Sequence, residues 1–96
     1  MSKESTNNVV LIGSKPLGAY LNSLELFLKK EKKPCAVVKA RGSNIKKAID
    51  IVQIAKNRFL KDLDLSIGEI KLYTVEYADE NDRERSISCI DIELKK

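Results

Sequence analysis

A β-branched run, Val37-Val38, enters a basic turn at Lys39-Ala40-Arg41-Gly42, and the turn passes directly to a helix start at Ser43-Asn44. No other stretch constrains the fold so tightly. A strand that ends within a few residues of a helix start forms a β–α unit, and such units lay helices against a sheet. The same turn gathers an arginine, a conformationally free glycine and a helix N-terminus. Backbone N–H groups at a helix start attract anions, and a guanidinium beside them can grip a phosphate.

The same pattern occurs once earlier. Val9-Val10-Leu11-Ile12 is a continuous apolar run of the kind a strand buried on both faces shows. Gly13-Ser14-Lys15-Pro16 breaks it, with Ser14 as the expected N-cap and Pro16 in the first turn of a helix. That helix is expected from about Pro16 to Lys30, with Leu17, Leu21, Leu24 and Leu28 in one stripe and Tyr20 and Phe27 beside it. Glu31 to Pro34 reads as a loop and Cys35 to Lys39 as a second strand. A second helix, capped by Ser43 or Asn44, is expected from about Ile45 to Leu60. Its stripe is Ile45, Ala48, Ile49, Val52, Ala55 and Phe59. Ile51 and Ile54 lie outside that stripe, so the apolar arc is wider than one sheet contact needs, and the excess predicts a subunit interface at those two residues.

The period then changes from helical to two. Ile67 to Ala78 alternates, with Ile70 and Leu72 on one side and Lys71, Tyr73, Val75 and Tyr77 on the other. A polar turn, Asp79 to Glu84, leads into Arg85 to Lys95, where Ile90, Ile92 and Leu94 share a face. The predicted order is β-α-β-α-β-β. The fold class is an α/β (α+β) two-layer sandwich, with two helices on one face of a four-stranded mixed sheet and a long hairpin arm from the last two strands. Residues 1–7 read as a disordered tail and 8–96 as a single domain.

Right-handed crossovers would make the first three strands parallel. Their C-terminal ends then lead to Ser14-Lys15, to Arg41-Gly42-Ser43 and to the hairpin tip with Arg83 and Arg85, all on one edge. The densest charge run, Lys29-Lys30-Glu31-Lys32-Lys33, falls on the opposite edge and reads as a solvated helix end, where lysines suit the dipole. Lys46 and Lys47 oppose the dipole at the start of the second helix, a small cost that a bound phosphate would offset.

Charge supports a polyanionic partner. Residues 1–48 hold 10 Lys/Arg and 3 Asp/Glu, against 8 and 11 in residues 49–96, so the halves carry +7 and −3 of the net +4. Chemistry is poorly supplied. The chain has no histidine, and Cys35 and Cys89 lack the paired spacing of zinc or redox sites and read as structural thiols. No nucleotide-binding glycine fingerprint is present, and Asp79, Glu80 and Asp82 lack calcium-loop spacing. An enzyme, a cofactor, a metal site and a small-molecule substrate are therefore not expected. No apolar run is long enough to span a membrane and no signal peptide is visible, so the expected setting is cytoplasmic.

The motifs resemble the Alba family of archaeal chromatin proteins. The matching stretches are Asn8-Val9-Val10-Leu11-Ile12-Gly13 with Lys15-Pro16, then Val38-Lys39-Ala40-Arg41-Gly42, Ile45 with Lys47-Ala48, and Asn57-Arg58-Phe59-Leu60. The resemblance implies a dimer that binds double-stranded DNA, and by extension RNA, without sequence preference, through basic loops after the first two strands and through hairpin arms. On this reading Lys15, Lys39, Arg41 and Lys47 contact phosphates, and Ser14, Ser43 and Asn44 donate hydrogen bonds to them. Arg83 and Arg85 approach a groove, and Phe59 matches an aromatic used in contacts between dimers. The chain departs from the family where Ser14 replaces a common lysine, where Ser43 replaces a common arginine, and in its acidic hairpin tip. Those departures keep two alternatives open: an RNA-binding accessory protein of RNA-processing or chaperone type, and the weak-binding member of a heterodimer with a more basic paralogue.

Overall fold

Each apolar run becomes a strand where its alternate residues can be buried under a helix. A computed structural model describes residues 8–96, so the expected tail at 1–7 lies outside the described residues. Strand β1 (Val9–Leu11) leads to helix α1 (Leu17–Glu25), whose last turn widens into a π-helical turn, Leu26–Lys30. Strand β2 (Cys35–Arg41) and a short 3-10 turn, Gly42–Asn44, lead to α2 (Ile45–Ile54), which also ends in a π-helical turn, Ala55–Phe59. A second 3-10 turn, Lys61–Leu63, precedes the hairpin of β3 (Ser66–Ala78) and β4 (Glu84–Lys95).

The sheet order is β1-β2-β4-β3. β1 pairs parallel with β2, and β4 pairs antiparallel with both β2 and β3. The expected two-layer α+β architecture is therefore the observed one, and β1, β2 and β3 all run in the same direction. Asn8 fastens the first strand: its Nδ2 donates to the Cys35 carbonyl at 2.9 Å, and its own carbonyl accepts from Val37 N–H at 2.9 Å.

The core lies between the helices and one sheet face. Ala36, Val38 and Ala40 of β2 and Ile90, Ile92 and Leu94 of β4 meet Tyr20, Leu24 and Leu28 of the first helix and Ala48, Ile51, Val52 and Ala55 of the second. Fully burying a leucine or isoleucine stabilises by roughly 1.5–3 kcal/mol, and Leu24, Leu28, Ile51, Leu60 and Leu94 are among the largest side chains to reach that state.

Several expectations need correction. Ile51 is 0% exposed and belongs to this core, not to a subunit surface; Ile54 is half-buried. The α2 arc is wide because the helix packs on the sheet with one flank and on α1 with another. The exposed isoleucine of α2 is Ile49, at 45%. The α1 stripe is rotated as well: Tyr20, Leu24 and Leu28 are buried while Leu17 is exposed. Neither helix has the expected side-chain cap. Pro16 holds the N-cap position of α1 and Asn44 that of α2, both without a side-chain cap bond.

Gly42 is the joint between β2 and α2. Its φ is +60°, and a Cβ added there would sit 2.9 Å from Ile87 Cδ1. Only glycine takes this backbone at no steric cost. Gly42→Ala is expected to destabilise the protein by about 1–2 kcal/mol, read as a lower urea midpoint at unchanged slope. An unchanged midpoint would mean the turn relaxes freely.

Candidate nucleic-acid interface

The register Leu11↔Lys39 places the ends of β1 and β2 side by side. The Gly13–Pro16 loop and the Arg41–Asn44 turn are therefore neighbours on one edge, as the parallel topology requires. The loop is tied down from below. Tyr20, four residues into α1, accepts hydrogen bonds at its hydroxyl from Gly13 N–H (2.7 Å) and Lys15 N–H (3.0 Å). Lys47, in the first turn of α2, donates from Nζ to the carbonyls of Gly13 (2.8 Å) and Lys15 (2.5 Å), and stands 5.2 Å from the centre of the Tyr20 ring. The charge expected on a phosphate is thus directed at the protein's own backbone.

Other expected cations are also partly spent. Lys39 lies on the sheet face opposite the helices, where its Nζ is 3.3 Å from Asp91 Oδ2 in the strand beside it. It lines a shallow groove of about 610 Å³ there, with Leu11, Val37, Lys71 and Glu93 among its neighbours. Tyr73 donates its hydroxyl to the other oxygen of Asp91 at 2.9 Å. That bond holds the Tyr73 pKa above the usual tyrosine value, and the positive charge of Arg41 opposes the shift. Lys46 pairs with Asp50 one turn along the helix at 2.9 Å, an exposed ion pair that sets a carboxylate beside the charge opposing the dipole. Among the described residues, no carboxylate pairs with Lys15 or Arg41. Both are exposed, as are Ser14 and Ser43, while Asn44 is half-buried.

The hairpin tip shares this edge by direction but not by position. Arg41 is level with Cys89 and Tyr73 in the sheet. Arg85 lies four residues further along β4, so it projects about 13 Å beyond Arg41 at roughly 3.3 Å per residue. The arm helps stretch the molecule to 48 × 30 × 20 Å. The expected convergence of three segments is therefore a convergence of two, with the third held outward as an arm. At its tip Asp79 accepts Asn81 N–H (2.9 Å) and Arg83 N–H (3.0 Å) with one oxygen and Arg85 Nε (2.8 Å) with the other. The Arg85 contact, then the backbone donors, hold the Asp79 carboxyl below its ordinary pKa. Arg85 thus braces the turn. Arg83 has an exposed side chain with no carboxylate partner among the described residues.

Phe59 is 41% exposed in the π-helical turn at the far end of α2. Because α2 starts at the Arg41 edge, Phe59 sits on the opposite one. Lys29 on that side pairs with Asp62 at 3.0 Å.

Tyr20 was the residue that periodicity alone did not single out for the site. Its signal was its place four residues after Pro16 on a helix otherwise lined by leucine, where a buried tyrosine hydroxyl has to find a partner.

Comparison with known proteins places this geometry. The Alba family model matches residues 8–76. The chain is 36% identical over 96 residues to the DNA/RNA-binding protein Alba of Nitrosopumilus maritimus, covering all of this chain and 97% of that one. Its structure is similar to Alba from Thermoplasma volcanium, with a TM-score of 0.81 and 28% identity over 93% of this chain and 100% of that one. It also shares its fold with ALBA1 from Trypanosoma brucei, with a TM-score of 0.67 and 20% identity over 94% of this chain and 69% of that one. Among the described residues, no helix is long and apolar enough to cross a membrane.

Proposed function

The chain belongs to the Alba family, and from that premise we propose that it is a dimeric, sequence-independent binder of double-stranded DNA associated with the nucleoid. The observation that carries this reading is the pair of exposed cations, Lys15 and Arg41, on adjacent loops at one sheet edge with no acidic partner among the described residues. Ser14 and Ser43 beside them supply hydroxyl donors. Contacts of this kind position a protein on phosphates and carry little sequence information.

The arm is unlike the body edge. Residues 76–85 hold Glu76, Asp79, Glu80, Asp82 and Glu84 against Arg83 and Arg85, and Asp79 already takes Arg85. A phosphate-lined groove repels such a segment, so Arg83 is the arm's remaining contact. With Lys15 and Arg41 from each of two subunits, about four phosphates are neutralised. The slope of log affinity against log salt should then be about −3.6, a fall of roughly 150-fold between 50 and 200 mM salt. Titration of a random-sequence duplex tests this, and a flat dependence would overturn the reading. Competition with double-stranded RNA of the same sequence decides between DNA and RNA, because A-form duplexes are also read by backbone and shape.

Dimerisation is supported by an uncovered apolar strip. On β3, Leu72 and Ile70 pair with Ile90 and Ile92 and so face the helix side, yet they are 75% and 51% exposed because no helix reaches β3. Ile49 stands about 200° round α2 from Lys47, at roughly 100° per residue, so it faces away from β1 and toward this strip. A second copy covering the same strip by two-fold symmetry is the occupant we propose.

Exposure of Phe59 on the edge opposite Arg41 supports a role for it in contacts between neighbouring dimers along a duplex. Phe59→Ala should lower cooperativity at dense coverage and leave affinity at sparse coverage within about twofold. Gel shifts at the two coverages would show it, and equal effects at both would place Phe59 elsewhere.

A further inference from the structure

We propose that Tyr20 and Lys47 are positioning residues, which hold the Gly13–Lys15 loop in the one conformation that presents Lys15 to a phosphate. This rests on the reading of Lys15 as a phosphate contact. The loop joins β1 to α1 and has neither a helix cap nor a ladder partner to order it. Its alternate N–H groups, Gly13 and Lys15, converge on a single oxygen, and that oxygen is the hydroxyl of Tyr20 at 2.7 and 3.0 Å. Convergent N–H groups are the usual means by which a turn binds an anion. Here the protein occupies them itself, so the loop offers its side chains, not its backbone, to a ligand.

The carbonyls of the same two residues are held as well. Lys47 Nζ donates to both, at 2.8 and 2.5 Å, and is set there by a helix anchored in the core at Ala48 and Ile51. Two side chains from two helices therefore satisfy both the donors and the acceptors of Gly13 and Lys15. Tyr20 is buried in the core, 6% exposed, so the anchor is rigid. The Lys47 ammonium lies 5.2 Å from the Tyr20 ring centre, close enough for attraction by the ring face. The two parts of the brace support each other, and the Gly13–Lys15 loop is locked to the start of α2, beside Arg41.

The test uses the full chain. Tyr20→Phe keeps the ring and removes the oxygen; Lys47→Met keeps the stem and removes the donor. Each should speed amide hydrogen exchange at Gly13 and Lys15 by at least about tenfold and raise the Kd for a random DNA duplex about three- to tenfold. Placed on Lys15→Gln, each should raise Kd less than about 1.5-fold further, because the brace acts through Lys15. Losses that multiply in full on Lys15→Gln would overturn the proposal and, for Lys47, indicate a direct phosphate contact. Unchanged exchange at both amides would overturn it too. Failure of the wild-type protein to bind any duplex would instead overturn the nucleic-acid reading, so the two failures are distinct.

Discussion

If two subunits pair through the β3 strip as proposed, Leu72→Asp is expected to leave a folded monomer. Leu72 is 75% exposed in the isolated subunit, so a change there costs the fold little, within about 0.5 kcal/mol. Across a subunit interface the same residue would be buried. Its loss removes roughly 2 kcal/mol of apolar burial per subunit, and the new carboxylate would have to be desolvated in the strip. Two-fold symmetry doubles the effect to roughly 4 kcal/mol, about a thousandfold in the dissociation constant of such a dimer. Light scattering during size exclusion would show a halved mass with the far-UV spectrum unchanged. A wild-type monomer at tens of micromolar, or a variant that remains dimeric, would remove the strip as the interface. The salt slope should fall to about half as well, since a monomer brings half the cations to one duplex.

Arg41→Ala should have the larger effect on nucleic-acid binding itself. Arg41 is the last residue of β2, exposed, level with Cys89, and fixed by the Gly42 joint. A guanidinium held at a strand end can reach one phosphate with two parallel N–H groups. Its removal should weaken binding about 5- to 20-fold near 100 mM salt, and flatten the salt slope by about 0.9 for each subunit engaged. Lys32→Ala, on the opposite edge, should change affinity less than about 1.5-fold. Equal losses would show that the protein binds by diffuse charge and that the edge has no special role. Since both side chains are exposed, neither loss would come from misfolding.

The contrast between these two positions shows where local pattern stops. The element order was legible because apolar periodicity is a local property. Ile90, Ile92 and Leu94 alternate, and all three are buried on one face. The parallel direction of β1, β2 and β3 followed from crossover handedness, and it correctly separated Arg41 from the denser lysine run. Ile51 was misread because periodicity reports how wide an apolar arc is and not what covers each part of it. The helix–helix contact took Ile51, and the uncovered edge strand β3 left Ile70 and Leu72 in solvent.

Charge was the least legible property. Lys39, Lys47 and Arg85 read alike as free cations in sequence, yet each meets a partner that only folding supplies: Asp91, the Gly13 and Lys15 carbonyls, and Asp79. Lys47 and Gly13 are 34 positions apart, and nothing in either neighbourhood indicates the contact. The sequence by itself determined the strands, the helices, their order and the edge on which Lys15 and Arg41 meet, because these depend on short-range period and chain direction. The tertiary structure alone decided which cations stay available, which isoleucine of α2 is exposed and how far the arm reaches. Those depend on pairings between distant residues and on which surfaces the helices fail to cover.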